Sequence, residues 1–138
     1  MISTVAVASG ISAAVVGAML LRTWLRHGGA SGNSHFRRLQ ILGHATVGLL
    51  GVVLVLIHLA AHRDPTWGWS AVAVLFTASA LGATMFLPWW LRGRKGLSGH
   101  NDPVGFYPAE DHFRMRTVQV HGGLADLTWV LMLIAVIW

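Results

Sequence analysis

Cysteine is absent from this 138-residue chain. That excludes disulfides, thiolate metal ligands and thioether attachment of a prosthetic group through C-x-x-C-H, so a bound group would rest on histidine, methionine, carboxylates or packing. Charge is scarce as well, at 11% of residues, where soluble domains carry about 25%. Acids are scarcer than bases, five against ten. Yet no long basic tract stands clear of the surrounding Trp, Leu and Val, so the pI near 11.5 does not point to nucleic acid. Also missing are a nucleophile elbow, a P-loop, a Cys-His pair and a zinc-protease motif, which leaves catalysis by the chain alone without support. No repeat of roughly 20 to 50 residues and no low-complexity segment is visible.

What the chain has is apolar length. Hydrophobic residues make up 54% of it, gathered into runs at about residues 2–25, 39–62, 69–91 and 118–138, each near the roughly 20 residues that cross a bilayer as a helix. The expected fold is all-α: one polytopic membrane domain, residues 1–138, built as a four-transmembrane-helix bundle. No base precedes the first run and no small-residue cleavage site follows a shorter core, so it reads as a retained helix rather than a signal peptide. Gly10, Ala13, Ala14 and Gly17 line one of its faces, and Thr77-Ala78-Ser79-Ala80 with Gly82 and Ala83 mark the third run. Small residues let helices approach closely in lipid, and neither run holds a histidine, so both read as scaffolding. Trp67, Trp69, Trp89 and Trp90 suit the membrane interface. Four short runs with few polar residues and no broken-helix signal leave little room for a transport path. The longest connection is 92–117. Within it Pro108, Glu110 and Asp111 form a helix-start signal, so the fourth helix is expected to begin in water near Pro108 and enter the membrane near Val118.

The bases fix an expected orientation. Arg22, Arg26, Arg37, Arg38, Arg92, Arg94, Lys95, Arg114 and Arg116 fall on one side, against Arg63 alone on the other. By the positive-inside rule the arginine-rich side is cytoplasmic and both termini lie on the outer side. Arginine dominance amid Ala, Gly and Val is the usage of a GC-rich bacterial genome, which makes the expected membrane the bacterial cytoplasmic (inner) membrane.

Histidine carries the chemistry. His44, His58 and His62 lie in the second run, and the fourteen-residue step from His44 to His58 returns to nearly the same angle at about 100° per residue. An ionisable side chain in an apolar span implies a function and a partner. His121, just inside the fourth run, matches His44 in depth, and the second and fourth helices of a four-span chain run parallel. Two such imidazoles, on helices diagonal to each other, would meet the two axial positions of one haem iron with ring nitrogens about 4 Å apart, twice a typical metal–nitrogen bond. Gly48 and Gly51 follow His44, and Ala125 and Thr128 follow His121, leaving little bulk where a macrocycle would lie. Arg38 and Arg116, with Arg37 and Arg114, would meet its propionates. Each ring's second nitrogen needs an acceptor, for which Thr46 and Asp126 are nearby.

In these features the sequence resembles the b-type membrane cytochromes, most closely the four-helix haem-binding bundle of the cytochrome b subunit of quinol-oxidising complexes. The resemblance covers residues 39–138 and lies in layout: His44 and His58 at the family's spacing, the intervening Gly48 and Gly51, and His121 on the fourth helix. It implies haem b between the second and fourth helices and electron transfer between quinone and a redox partner, alone or among other membrane subunits. The second haem of that family is not expected, because Ala135 stands where its fourth-helix ligand would be. His58 and His62 remain for a quinone or another second site.

The alternative is a cofactor-free accessory subunit of a larger respiratory or photosynthetic complex, or one in which a histidine ligates a chlorin pigment instead. There His44 and His121 would be interhelical hydrogen-bonding groups. His58 reads otherwise as buried and His62 as a solvated residue at the membrane edge. His27, His35, His100 and His112 are too irregularly spaced for a metal site. Asp126 either handles protons or reaches a hydroxyl, and Met132 packs.

Overall fold

The computed structural model describes residues 2–62, 64–94 and 108–138. Arg63, Lys95 and His100, which enter the charge and loop-histidine expectations, lie outside the described residues. Four helices account for most of the chain: α1 (Ile2–Arg26), α2 (Arg38–Ala60), α3 (Pro65–Arg94) and α4 (Met115–Ile137), with short 3-10 turns at Gly29–Ser31 and Ala109–His112. All four are long and apolar enough to cross a membrane, and no strand occurs among the described residues. Large apolar side chains such as Leu39, Leu49, Phe76 and Ile137 point outward, as they do where lipid replaces water as the solvent. The protein is an all-α, multi-pass membrane protein.

Consecutive helices are neighbours, and α4 closes the ring against α1. The parallel pair α2 and α4 therefore stand on one diagonal and α1 and α3 on the other. The α1–α4 and α2–α3 seams are the closest, and small residues explain why. A methyl group on Gly10 would lie 3.2 Å from Thr128 Cγ2 of α4, and one on Gly51 would lie 2.6 Å from Leu75 Cδ2 of α3. Ala6, Val55, Ala71, Leu75 and Met132 form the buried apolar layer between these contacts. Ser9 adds a polar tie, donating to the Leu124 carbonyl at 2.9 Å.

Several element ends differ from the sequence expectation for local reasons. The third helix starts at Pro65, ahead of Trp69, because the Asp64 carboxylate accepts the Thr66 N–H at 2.8 Å and proline suits a first helical position. It also runs through Pro88 to Arg94; proline is tolerated in membrane helices where neighbouring groups take over the freed carbonyl. Pro108 opens a separate 3-10 turn instead of α4, since Phe113 and Arg114 are extended and α4 begins only at Met115.

That turn is anchored by a wholly buried carboxylate. Glu110 accepts from Ser34 Oγ at 2.7 Å and from the His35 backbone N–H at 2.7 Å, with His35 Nδ1 at 3.1 Å and Arg92 Nη2 at 3.7 Å. The buried indole of Trp24 donates to Ser34 Oγ at 2.9 Å, and Gly29 lies against the same indole so closely that no side chain would fit. The α1–α2 connection and the described end of the α3–α4 connection are thus tied to each other and to α1.

Candidate functional site: an intramembrane histidine pair

His44 is the seventh residue of α2 and His121 the seventh of α4. Parallel helices of equal pitch then place both at one level, a turn or two inside the arginine-rich end. Across the diagonal the rings meet, with centroids 5.8 Å apart and planes at 87°. Each ring is held by a helix of the other pair. His44 Nδ1 lies 3.0 Å from the Ala78 carbonyl of α3, and His121 Nδ1 lies 2.9 Å from the Ala13 carbonyl of α1. A carbonyl only accepts, so Nδ1 carries the proton and donates in both rings. In the neutral tautomer Nε2 is then left as a lone-pair donor.

A helix carbonyl is normally screened by the side chain one turn further on. Here that residue is glycine in both helices: Gly17 follows Ala13 and Gly82 follows Ala78. A methyl on Gly17 would sit 2.8 Å from His121 Cε1, and one on Gly82 would sit 3.1 Å from His44 Cε1. The expectation that α1 and α3 are scaffolding alone is therefore corrected, since both helices seat and orient the histidines. Neither Thr46 nor Asp126 serves the rings; both are exposed, and the acceptors are backbone carbonyls.

The two half-sites are copies. His35-Phe36-Arg37, six residues and His44 are matched by His112-Phe113-Arg114, six residues and His121. In step behind them run Val53-Leu54-Val55-Leu56-Ile57 and Val130-Leu131-Met132-Leu133-Ile134. The other helix of each pair repeats as well, with Ala13-x-x-x-Gly17 matching Ala78-x-x-x-Gly82 and with Ala6 and Ala71 both fully buried. The contacts exchange accordingly: Gly10 on Thr128 corresponds to Leu75 on Gly51, with the small and large partners swapped. The α1–α2 and α3–α4 hairpins are thus related by an approximate two-fold axis along the bundle, and the histidine pair lies on it. This duplication, longer in period than the repeats of solenoids and propellers, is the signal that the sequence reading did not use.

The remaining expected site residues are placed less centrally. Gly48 faces Ala78 Cβ at van der Waals distance, and Gly51 is occupied by Leu75, so the room beside the rings comes from Gly17 and Gly82 instead. Arg37 and Arg114 stand at the N-caps of α2 and α4, with Arg38 and Arg116 beside them; all four are exposed and neither cap makes a side-chain hydrogen bond. His58 is buried at the other end of the bundle, its Nδ1 2.9 Å from the Asp64 carbonyl and its Nε2 without a partner among the described residues. His62 is exposed in the following turn with φ 52°. No group of three potential metal ligands occurs among the described residues. Of the loop histidines, His27 stacks on His112 at 3.7 Å and His35 lies on Glu110. Met132 is part of the core.

Fold and site together define a four-helix membrane protein with a two-fold-related histidine pair inside the bundle. No family model, curated protein or solved structure matches the chain.

Proposed function

We propose that this chain is a small b-type cytochrome-like subunit, holding one haem b by His44 and His121 and carrying electrons between quinone and a redox partner in a bacterial inner membrane. The observation that carries the reading is the paired Nδ1-to-carbonyl hydrogen bonding, which prepares both Nε2 atoms as ligands in the way second-shell acceptors orient metal-binding imidazoles. The two ring centroids lie 5.8 Å apart, so both imidazoles could hold one metal ion at metal–nitrogen bonds of about 2 Å. Arginines at the positive ends of α2 and α4 are electrostatically unfavourable by themselves and are relieved by an anion, which haem propionates would provide. When bound, the haem supplies a one-electron couple. The chain contributes oriented imidazoles, counter-charges and an apolar wall that excludes water.

The visible spectrum of the detergent-purified protein from haem-replete cells tests this. A reduced-minus-oxidised haem band is expected, lost or converted to a high-spin form in His44→Ala and His121→Ala and retained in His58→Ala. A featureless wild-type spectrum would refute the reading. It would leave the cofactor-free accessory subunit, in which the same hydrogen bonds serve as interhelical glue.

A further inference from the structure

Asp126 stands at the midpoint of α4 and faces outward. Among the described residues it has no hydrogen bond or ion pair, and the histidine pair does not use it. A carboxylate at the centre of a span, turned toward lipid, is among the costliest placements a membrane helix makes, and such residues ordinarily turn to a partner. Gln119 and Gly123 are exposed on the same face by helical spacing, and neither Gly122 nor Gly123 has any neighbour within 4 Å of where a side chain would begin. Another backbone can therefore approach the face closely beside the carboxylate.

We propose that this face of α4 docks a transmembrane helix of another protein that carries a basic side chain at mid-membrane. Charge complementarity selects this occupant. Among the described residues a second copy of the chain has no base to offer at that depth, because the arginines stand at the helix ends and the intramembrane histidines face inward. The outward hydroxyls of Ser12 and Thr77 are already bonded to carbonyls of their own helices. A two-fold dimer through this face would set Asp126 against its own copy. The inference is independent of whether haem is bound.

The test uses the full chain in lipid vesicles, with energy transfer to synthetic Leu/Ala transmembrane peptides that carry Lys, Leu or Glu at the central position. The Lys peptide is expected to bind the wild type about tenfold more tightly than the Leu peptide, as a charge pair in low dielectric should. That preference should vanish in Asp126→Leu, and Asp126→Lys should prefer the Glu peptide. Because Asp126 is exposed and has no hydrogen bond or ion pair among the described residues, wild-type circular dichroism is expected of both variants and checks their folding. Equal binding of the Lys and Leu peptides to the wild type would overturn the proposal. So would self-association of the wild type that Asp126→Leu abolishes, which would make a second copy the occupant.

Discussion

Alanine at Gly17 or Gly82 is a small change with a specific consequence. The added methyl would lie 2.8 Å from His121 Cε1 in Gly17→Ala and 3.1 Å from His44 Cε1 in Gly82→Ala, where ordinary contacts begin at 3.4 Å. Overpacking of this kind costs about 1–3 kcal/mol, while replacing a helical glycine by alanine returns up to about 1 kcal/mol. The net loss is then about 0–3 kcal/mol, greater for Gly17→Ala because its contact is shorter. The geometric effect is more telling than the stability. The His121 ring is pinned between Gly17 and the Ala13 carbonyl one turn away, so the methyl can be relieved only by moving the ring off its 2.9 Å hydrogen bond. Gly43→Ala and Gly122→Ala supply controls, since nothing lies within 4 Å of either position and only the helix-forming gain applies. Thermal unfolding in detergent should rank Gly17→Ala below Gly82→Ala and both below the controls. The haem band, if present, should shift or weaken in the first two alone. Four variants of equal stability and identical spectra would refute the argument that these glycines seat the histidines.

Two further outcomes follow from the arginine-rich end. Glu110→Gln keeps the shape of the side chain but weakens charge-assisted bonds from Ser34 and His35, so unfolding should come about 1–3 kcal/mol sooner; an unchanged midpoint would mean that the buried carboxylate does not tie the connections together. With an impermeant thiol reagent, Trp138→Cys should be labelled on intact cells and Ser31→Cys only after the cells are permeabilised; labelling of both on intact cells would contradict the four-span topology.

The fold was legible because its signals are local. Run length separates a membrane span from a core helix, and tryptophan and arginine mark the span ends, so the number and identity of the helices follow without tertiary information. The depth match of His44 and His121 was legible for the same reason, being a count along two helices. The acceptors for their Nδ1 atoms were not. A carbonyl belongs to every residue, and the only trace of its use is the glycine one turn further on, which reads equally well as helix packing. Gly51 shows the converse, for its sequence position beside His44 suggests open space while the fold fills it with Leu75. Glu110 misled in a third way. Beside Pro108 it has the look of a helix start, and only the tertiary approach of Ser34 and His35 turns it into a buried anchor.

The exchange of contacts between the hairpins is compatible with the proposed ligation at a shared site. Each hairpin contributes one histidine and, through the other helix, one carbonyl and glycine that seat the histidine of the other. Two imidazoles in register on an approximate two-fold axis, with Nε2 left over on both, would hold the proposed haem from two equivalent positions. At the other end of the bundle the symmetry fails, because Ala135 stands in step with His58. His58 accordingly has its carbonyl partner, while its Nε2 has no partner among the described residues. The duplication therefore supports one symmetric site in this chain, at the arginine-rich end.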